Sequence, residues 1–90
     1  THLHTAVPNP FNPSTTIGYT LEKDGHTTIS VYDVSGRHIR NLVSDFRTKG
    51  YHEATWNGRD SEGREAASGV YFYRLKTEGV VETRKMVLLR

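Results

Sequence analysis

Apolar and polar residues alternate in short runs along most of the chain, and turn-forming residues separate these runs. A period of two residues is typical of β-strands that bury one face. Only residues 37–45 have a spacing that would allow a helical turn or two. The pattern predicts an all-β fold, an immunoglobulin-like antiparallel sandwich of two sheets with about seven strands. The runs lie at residues 15–21, 26–33, 38–43, 51–56, 69–76 and 81–90.

Two turns share the pattern D-x-x-G-R, and they consist of Asp33, Gly36 and Arg37, and of Asp60, Gly63 and Arg64. The aspartate is expected to cap a type I turn with its side chain, and the glycine supplies the left-handed residue that follows. Calcium loops need several carboxylates at alternate positions, and these segments have too few. The pattern therefore favours a structural role over metal binding.

Trp56 is the only tryptophan, and it has the same strand phase as Ala54. This phase predicts a buried ring between the sheets, whereas a sugar-stacking platform would need an exposed ring. Gly69, Tyr71 and Tyr73 form a G-x-Y-x-Y pattern. In immunoglobulin-like sandwiches a tyrosine at such a corner bonds back to the main chain, and Tyr71 is predicted to have this role.

The first residues have the character of a connection into the domain. We expect residues 1–6 to be a linker or tether and residues 7–90 to be the folded domain. All three prolines lie between Val7 and Pro13 and restrain this stretch to extended conformations. Phe11 is its one large apolar residue, so we expect it to anchor the stretch to the sandwich, in contrast to a mobile spacer.

Composition excludes several classes of function for these 90 residues. The net charge of +2 is too small and too scattered to predict a nucleic-acid partner, and no apolar run reaches membrane-spanning length. The absence of cysteine excludes thiol catalysis and thiolate metal sites. The five histidines lack zinc-site spacing, and the glycines stand singly at turns. We therefore predict a non-enzymatic domain without a cofactor or metal.

Four stretches in order carry a family resemblance: PNPFNPSTTIGYTL, ISVYDVSGRHIRNLV, GYHEATWNGRDSEGREAASGVYFYRL and TRKMVLLR. Together they resemble the type A C-terminal sorting domains of type IX secretion cargo. They also resemble the immunoglobulin-like domain of the flagellar hook-cap protein FlgD. The NPFNP opening and the basic-apolar-basic ending favour the sorting family.

The sorting resemblance implies a function and a set of partners. Such a domain forms the C-terminus of a larger secreted protein, whose parent cargo domain is attached on its N-terminal side. It crosses the periplasm, is recognised at the outer membrane by the type IX secretion translocon, and in many cases is removed by a sortase-like peptidase. The cargo then stays at the cell surface or is released.

Two segments of this chain match the motifs that the resemblance implies for partner recognition. Pro8, Asn9 and Pro10 match the opening motif. The closing motif is matched by Lys85, Met86, Val87, Leu88, Leu89 and Arg90. That motif commonly ends in lysine, and here Arg90 keeps the charge but changes the donor geometry.

The closing strand has apolar residues on both faces. Met86 and Leu88 are expected to pack onto the core, which would leave Val87 and Leu89 exposed for a partner that captures a strand edge. Alternatively, the strand is central in its sheet, or Phe11 and Phe72 cover it on both faces within the domain. Two other functions stay open. One is an FlgD-like structural spacer, and the other is a carbohydrate-binding appendage with aligned aromatic residues drawn from Tyr32, Tyr51 and Phe72.

Overall fold

The computed structural model describes all 90 residues. It contains seven strands in two antiparallel sheets and no helix. The three-stranded sheet has the order β1-β2-β5, and the four-stranded sheet has the order β4-β3-β6-β7. The predicted all-β sandwich is confirmed. The strands are β1 (His2–Leu3), β2 (Thr15–Leu21), β3 (Gly25–Asp33), β4 (His38–Arg47), β5 (Gly50–Trp56), β6 (Gly69–Thr77) and β7 (Val80–Leu88).

The helical alternative at residues 37–45 is wrong, because these residues belong mostly to β4. Two register irregularities in the pairing of β3 with β4 interrupt the regular alternation there. A bulged strand inserts an extra residue and shifts the phase of the side chains that follow. This shift explains why the stretch resembles a strand less clearly than its neighbours.

The core lies between the two sheets and is centred on Trp56, which is fully buried. Its ring centroid lies 5.7 Å from that of Phe11 and 5.1 Å from that of Tyr71. The indole N–H donates to the main-chain carbonyl of Arg59 at 2.9 Å. The predicted buried position of Trp56 is therefore confirmed, and burial leaves no ring face for a sugar.

Both tyrosines of the G-x-Y-x-Y pattern bond to main-chain atoms. The Tyr71 hydroxyl donates to the Ala67 carbonyl at 2.6 Å, which is the predicted corner bond. The Tyr73 hydroxyl donates to the His4 carbonyl at 2.7 Å and accepts from the Ala6 N–H at 3.0 Å. Burial raises the pKa of both phenols, so they remain neutral donors across the physiological range.

Residues 1–6 do not form the tether expected from the sequence. β1 pairs with β2, and both Leu3 and Ala6 are buried in the core. The two bonds of Tyr73 hold the main chain just after β1. A strand of two residues is too short to produce an alternating pattern, so the sequence offered no sign of it.

Both D-x-x-G-R turns adopt the predicted structure. Asp33 Oδ1 accepts from the N–H groups of Ser35 and Arg37, each at 3.0 Å. Gly36 donates to the Asp33 carbonyl and has φ of 89°, a left-handed conformation that favours glycine. The second turn repeats this arrangement around Asp60. Because each carboxylate is occupied by its own turn, the structural interpretation is the better supported one.

Candidate recognition edge on the last strand

β7 forms one edge of the four-stranded sheet, and its two faces differ. Met86 and Leu88 point inward and are fully buried. Val87 on the other face is half-buried, and Leu89 just after the strand is 52% exposed. The expected division of the closing motif into a core face and an accessible face is therefore present. Met86 and Leu88 stabilise the fold and offer no side-chain surface to a partner.

The N-terminal segment covers the last part of this edge. Asn9 Oδ1 accepts from the Val87 N–H at 2.9 Å. The Phe11 N–H donates to the Val87 carbonyl at 3.0 Å, and the Leu89 N–H donates to the Phe11 carbonyl at 2.9 Å. Phe11 itself is 2% exposed, so it anchors the segment as predicted. The two segments expected to be recognised, 8–10 and 85–90, thus meet in space.

The opening motif has a structural role, because it covers the end of β7. Asn9 uses its side chain as a substitute for a neighbouring strand, while Pro8 and Pro10 on either side of it have no N–H to leave unpaired. The sequence indicated the anchor at Phe11 but not this bond, because Asn9 and Val87 are 78 positions apart. The alternative in which Phe11 covers the strand is supported at this end of β7.

Arg90 lies in a cradle formed by Gly58, Glu65 and Ala66. Its Nε donates to the Ala66 carbonyl at 2.6 Å, its Nη2 donates to the Gly58 carbonyl, and its Nη1 lies 3.3 Å from Glu65 Oε2. The main-chain N–H of Arg90 donates to Ser68 Oγ at 2.8 Å. The side chain is 24% exposed, so most of its charge is already engaged within the domain. Arg90 fastens the loop between β5 and β6 to the end of the last strand.

The first part of the β7 edge has no such cover. Antiparallel pairing alternates, so the N–H and C=O groups of Val81, Thr83 and Lys85 point away from β6, as those of Val87 do. No hydrogen bond within the chain reaches the main-chain groups of these three residues. We call Val81, Thr83 and Lys85 the open edge. A cleft of about 400 Å³ adjoins it, lined by Thr5, Phe72, Tyr73, Thr83, Arg84 and Lys85.

The three aromatic residues considered for carbohydrate binding do not all lie on one surface. Tyr32 and Phe72 are cross-strand neighbours on the four-stranded sheet. Tyr51 lies on the three-stranded sheet, where its ring covers Gly18. The Arg74 guanidinium is centred 4.8 Å above the Tyr32 ring and so occupies one of its faces. This arrangement lacks the aligned row that a polysaccharide platform needs.

Metal binding and membrane crossing can also be considered from the structure. No three histidine, aspartate or glutamate side chains are grouped closely enough to hold a metal ion. The structure contains no helix with the length and apolar character that a membrane crossing would need.

The sequence and fold can be compared with those of known proteins. A family model described as the FlgD Ig-like domain matches residues 12–79, about three quarters of the chain. The chain belongs to the FlgD Ig-like domain family. The matched part ends at the β6–β7 turn, so it includes neither the 8–10 segment nor β7. Curated protein sequences give no match to this FlgD Ig-like domain.

Several solved structures share the fold of this FlgD Ig-like domain. PorZ, described as an essential surface component of the type IX secretion system of Porphyromonas gingivalis, matches with a TM-score of 0.68 and 24% identity. Dimeric latent PorU from the same organism matches with a TM-score of 0.77 and 22% identity. FlgD from P. aeruginosa matches with a TM-score of 0.66 and 20% identity.

The extent of these matches differs. The PorZ match covers 96% of this chain and 11% of PorZ, and the PorU match covers 94% of this chain and 9% of PorU. The FlgD match covers 82% of this chain and 57% of FlgD. This FlgD Ig-like domain thus spans about a tenth of the length of PorZ and PorU.

Proposed function

We propose that this FlgD Ig-like domain is a non-catalytic sorting domain at the C-terminal side of a larger secreted protein. The type IX secretion machinery would recognise it at the outer membrane, after transport through the periplasm. The parent protein would then reach the cell surface or the medium. A sortase-like peptidase would remove the domain in the course of attachment or release.

The observation that carries this proposal is the meeting of the two segments with sorting-motif resemblance. Asn9 and Phe11 bond to Val87 and Leu89, so segments 8–10 and 85–90 form one continuous surface. Both lie outside the part of the chain matched by the FlgD Ig-like family model. Their order and composition are what the resemblance to type A sorting domains rests on. The shared fold with domains of PorZ and PorU supports the same proposal.

The second candidate function is a structural immunoglobulin-like spacer, as in FlgD. The Arg90 cradle and the burial of Met86 and Leu88 favour it, because these residues have a purely internal use. A spacer needs no recognition by an export machine. Dependence on that machine therefore separates the two functions.

The test fuses residues 1–90 behind a signal peptide and a fluorescent reporter, in a host that has type IX secretion and in an isogenic strain without its translocon. Export from the first strain and periplasmic retention in the second support the sorting function. Equal retention in both strains, with a folded domain, refutes it for that host. Removal of residues 85–90 is unsuitable as a control, since it deletes the buried Met86 and Leu88 and would unfold the domain.

A further inference from the structure

The edge of β7 has a covered part and an uncovered part. Val87 and Leu89 have main-chain partners in the N-terminal segment, whereas the open edge has none. An exposed strand edge is a template for pairing with another chain, and proteins usually cover such edges. Here the cover stops after two residues, which leaves a run from Val81 to Lys85 available for an added strand. Such a strand would gain main-chain hydrogen bonds at three alternate residues.

The outer face of the four-stranded sheet is positively charged. Cross-strand partners point to the same face, so the registers identify which side chains lie there. They are Val81, Thr83, Lys85 and Val87 of β7, Val70, Phe72, Arg74 and Lys76 of β6, His26, Thr28, Ser30 and Tyr32 of β3, and His38, Asn41, Ser44 and Phe46 of β4. None of these is an aspartate or a glutamate.

The cations near the open edge have no acidic partners. The ion pairs of the domain involve other arginines and the N-terminus, and none includes Arg74, Lys76 or Lys85. Glu82 is the one carboxylate of β7, and it points to the inner face, where it accepts from the Leu3 N–H at 3.0 Å. The charges of Arg74 and Lys85 are therefore not compensated by an ion pair, while Glu78 in the β6–β7 turn lines a pocket beside Lys76.

We propose that the open edge binds an extended acidic segment of another protein, which adds as a fifth strand beside β7. Its main chain would pair with Val81, Thr83 and Lys85, and its outward carboxylates would lie beside Lys85. The Cβ atoms of residues directly opposite each other on paired strands lie about 4.5–5.5 Å apart, which is close enough for a carboxylate and an ammonium group to pair. An exposed edge lysine disfavours unselective pairing with apolar strands, so the occupant is selected by its charge.

A peptide experiment tests the edge without any secretion machinery. The folded domain is titrated with a capped peptide of alternating glutamate and valine, EVEVEVE, and with its lysine twin, KVKVKVK. Amide shifts are followed by NMR. We expect the acidic peptide to shift the amides of Val81, Thr83 and Lys85 and to bind about tenfold more tightly than the basic twin, which corresponds to about 1.4 kcal/mol. Equal affinity, or shifts confined to the β4 edge, would overturn the proposal.

Matched variants identify the contacts. Thr83→Pro removes one outward N–H at an edge position where proline is tolerated, and it should abolish binding, whereas Thr83→Val should keep it. Lys85→Glu should weaken binding about fivefold or more, while Lys49→Glu makes the same charge change just after β4, at the opposite edge of the sheet, and should have no effect. If Thr83→Pro does not fold, Lys85→Glu decides: unchanged affinity for the acidic peptide overturns the proposal.

The assignment of the occupant to the export machinery rests on the proposed function, whereas the edge itself does not. The Lys85→Glu and Lys49→Glu domains are therefore compared in the reporter fusion. Loss of export for Lys85→Glu alone places the acidic segment in the secretion machinery. Normal export of Lys85→Glu overturns that assignment and leaves the sorting function intact. If the parent fusion is retained in the translocon-containing host, the sorting function fails, and the peptide titration alone decides whether the edge binds acidic strands.

Discussion

Replacement of Arg90 tests whether the last residue holds the domain together from within. Arg90→Ala removes the side-chain bonds to the carbonyls of Gly58 and Ala66 and the ion pair with Glu65. It keeps the main-chain bond to Ser68. Arg90→Lys keeps the charge, but a single ammonium group does not reproduce the planar fork that serves two carbonyls and a carboxylate.

The contacts of Arg90 determine how much the free energy of unfolding should fall when its side chain is removed. A hydrogen bond to a charged group contributes about 1.5–3 kcal/mol when well buried. Because the side chain is 24% exposed, we take about 1 kcal/mol for each of its two carbonyl bonds. The pair with Glu65, whose side chain is 60% exposed, adds roughly 0–1 kcal/mol. Arg90→Ala should therefore lower the free energy of unfolding by about 2 kcal/mol, and Arg90→Lys by about half of that.

The assay is urea unfolding followed by the fluorescence of Trp56, the only tryptophan, which is buried in the folded state. A loss of about 2 kcal/mol would lower Tm by roughly 8–16 °C in a domain of this size. Arg47→Ala is the matched control, because Arg47 forms one partly exposed ion pair with Asp45 and should cost less than about 0.5 kcal/mol. If Arg90→Ala is as stable as Arg47→Ala, the cradle does not stabilise the domain and our interpretation of Arg90 is wrong.

Three further predictions concern Gly58, the two aspartate turns and Tyr73. Gly58 has φ of 75°, and an added methyl group would lie 3.0 Å from the Pro13 carbonyl and 2.9 Å from Arg90 Nη2, so Gly58→Ala should cost about 1–2 kcal/mol in urea unfolding. Combined with Arg90→Ala it should cost less than the sum, because both changes disturb one contact, and strict additivity would argue against that contact. The Ser35 hydroxyl and the Arg64 N–H, which bond to Asp33 and Asp60 respectively, are the main causes that hold the pKa of each carboxyl below its ordinary value. Since the folded-state pKa is the lower one, the ionised form stabilises the fold above about pH 4, and this stability is lost as the pH falls through the lowered values. The Asp33→Asn, Asp60→Asn double variant should show a smaller loss of stability between neutral and acidic pH, and an unchanged pH profile would contradict the assignment. Tyr73→Phe removes two bonds to the main chain after β1 and leaves a buried N–H unpaired, so it should lower the free energy of unfolding by about 1–3 kcal/mol and speed hydrogen exchange at Ala6; protection equal to that of the parent would refute this role.

Local patterns in the sequence were sufficient to predict much of the fold. The alternation that places Tyr71, Tyr73 and Leu75 on one face needs only the two-residue period of a strand, and the structure confirms that all three are buried. The D-x-x-G-R turns were equally predictable, because the aspartate bonds to N–H groups two and four residues later. Such contacts lie within one short window of sequence.

The features that the sequence did not reveal depend on contacts between distant residues. Arg90 bonds to residues 22–32 positions earlier, and the bond from Val87 to Asn9 spans 78 positions. Neither contact has a periodic signature. The burial of Leu3 depends on a strand of only two residues, which no alternation can predict. The composition of the closing motif suggested a surface for recognition, but the structure uses Met86, Leu88 and Arg90 for internal contacts and leaves Lys85 exposed.

The most direct measurement of the central claim compares this domain with another member of its fold in one secretion assay. The same reporter is fused either to residues 1–90 or to the immunoglobulin-like domain of P. aeruginosa FlgD, and the fraction of reporter outside the cell is measured in a host with type IX secretion. Our account predicts that the first fusion leaves the cell and the second, equally folded, stays in the periplasm. Equal behaviour of the two fusions would mean that this domain carries no sorting signal of its own, and the structural spacer would then be the better description.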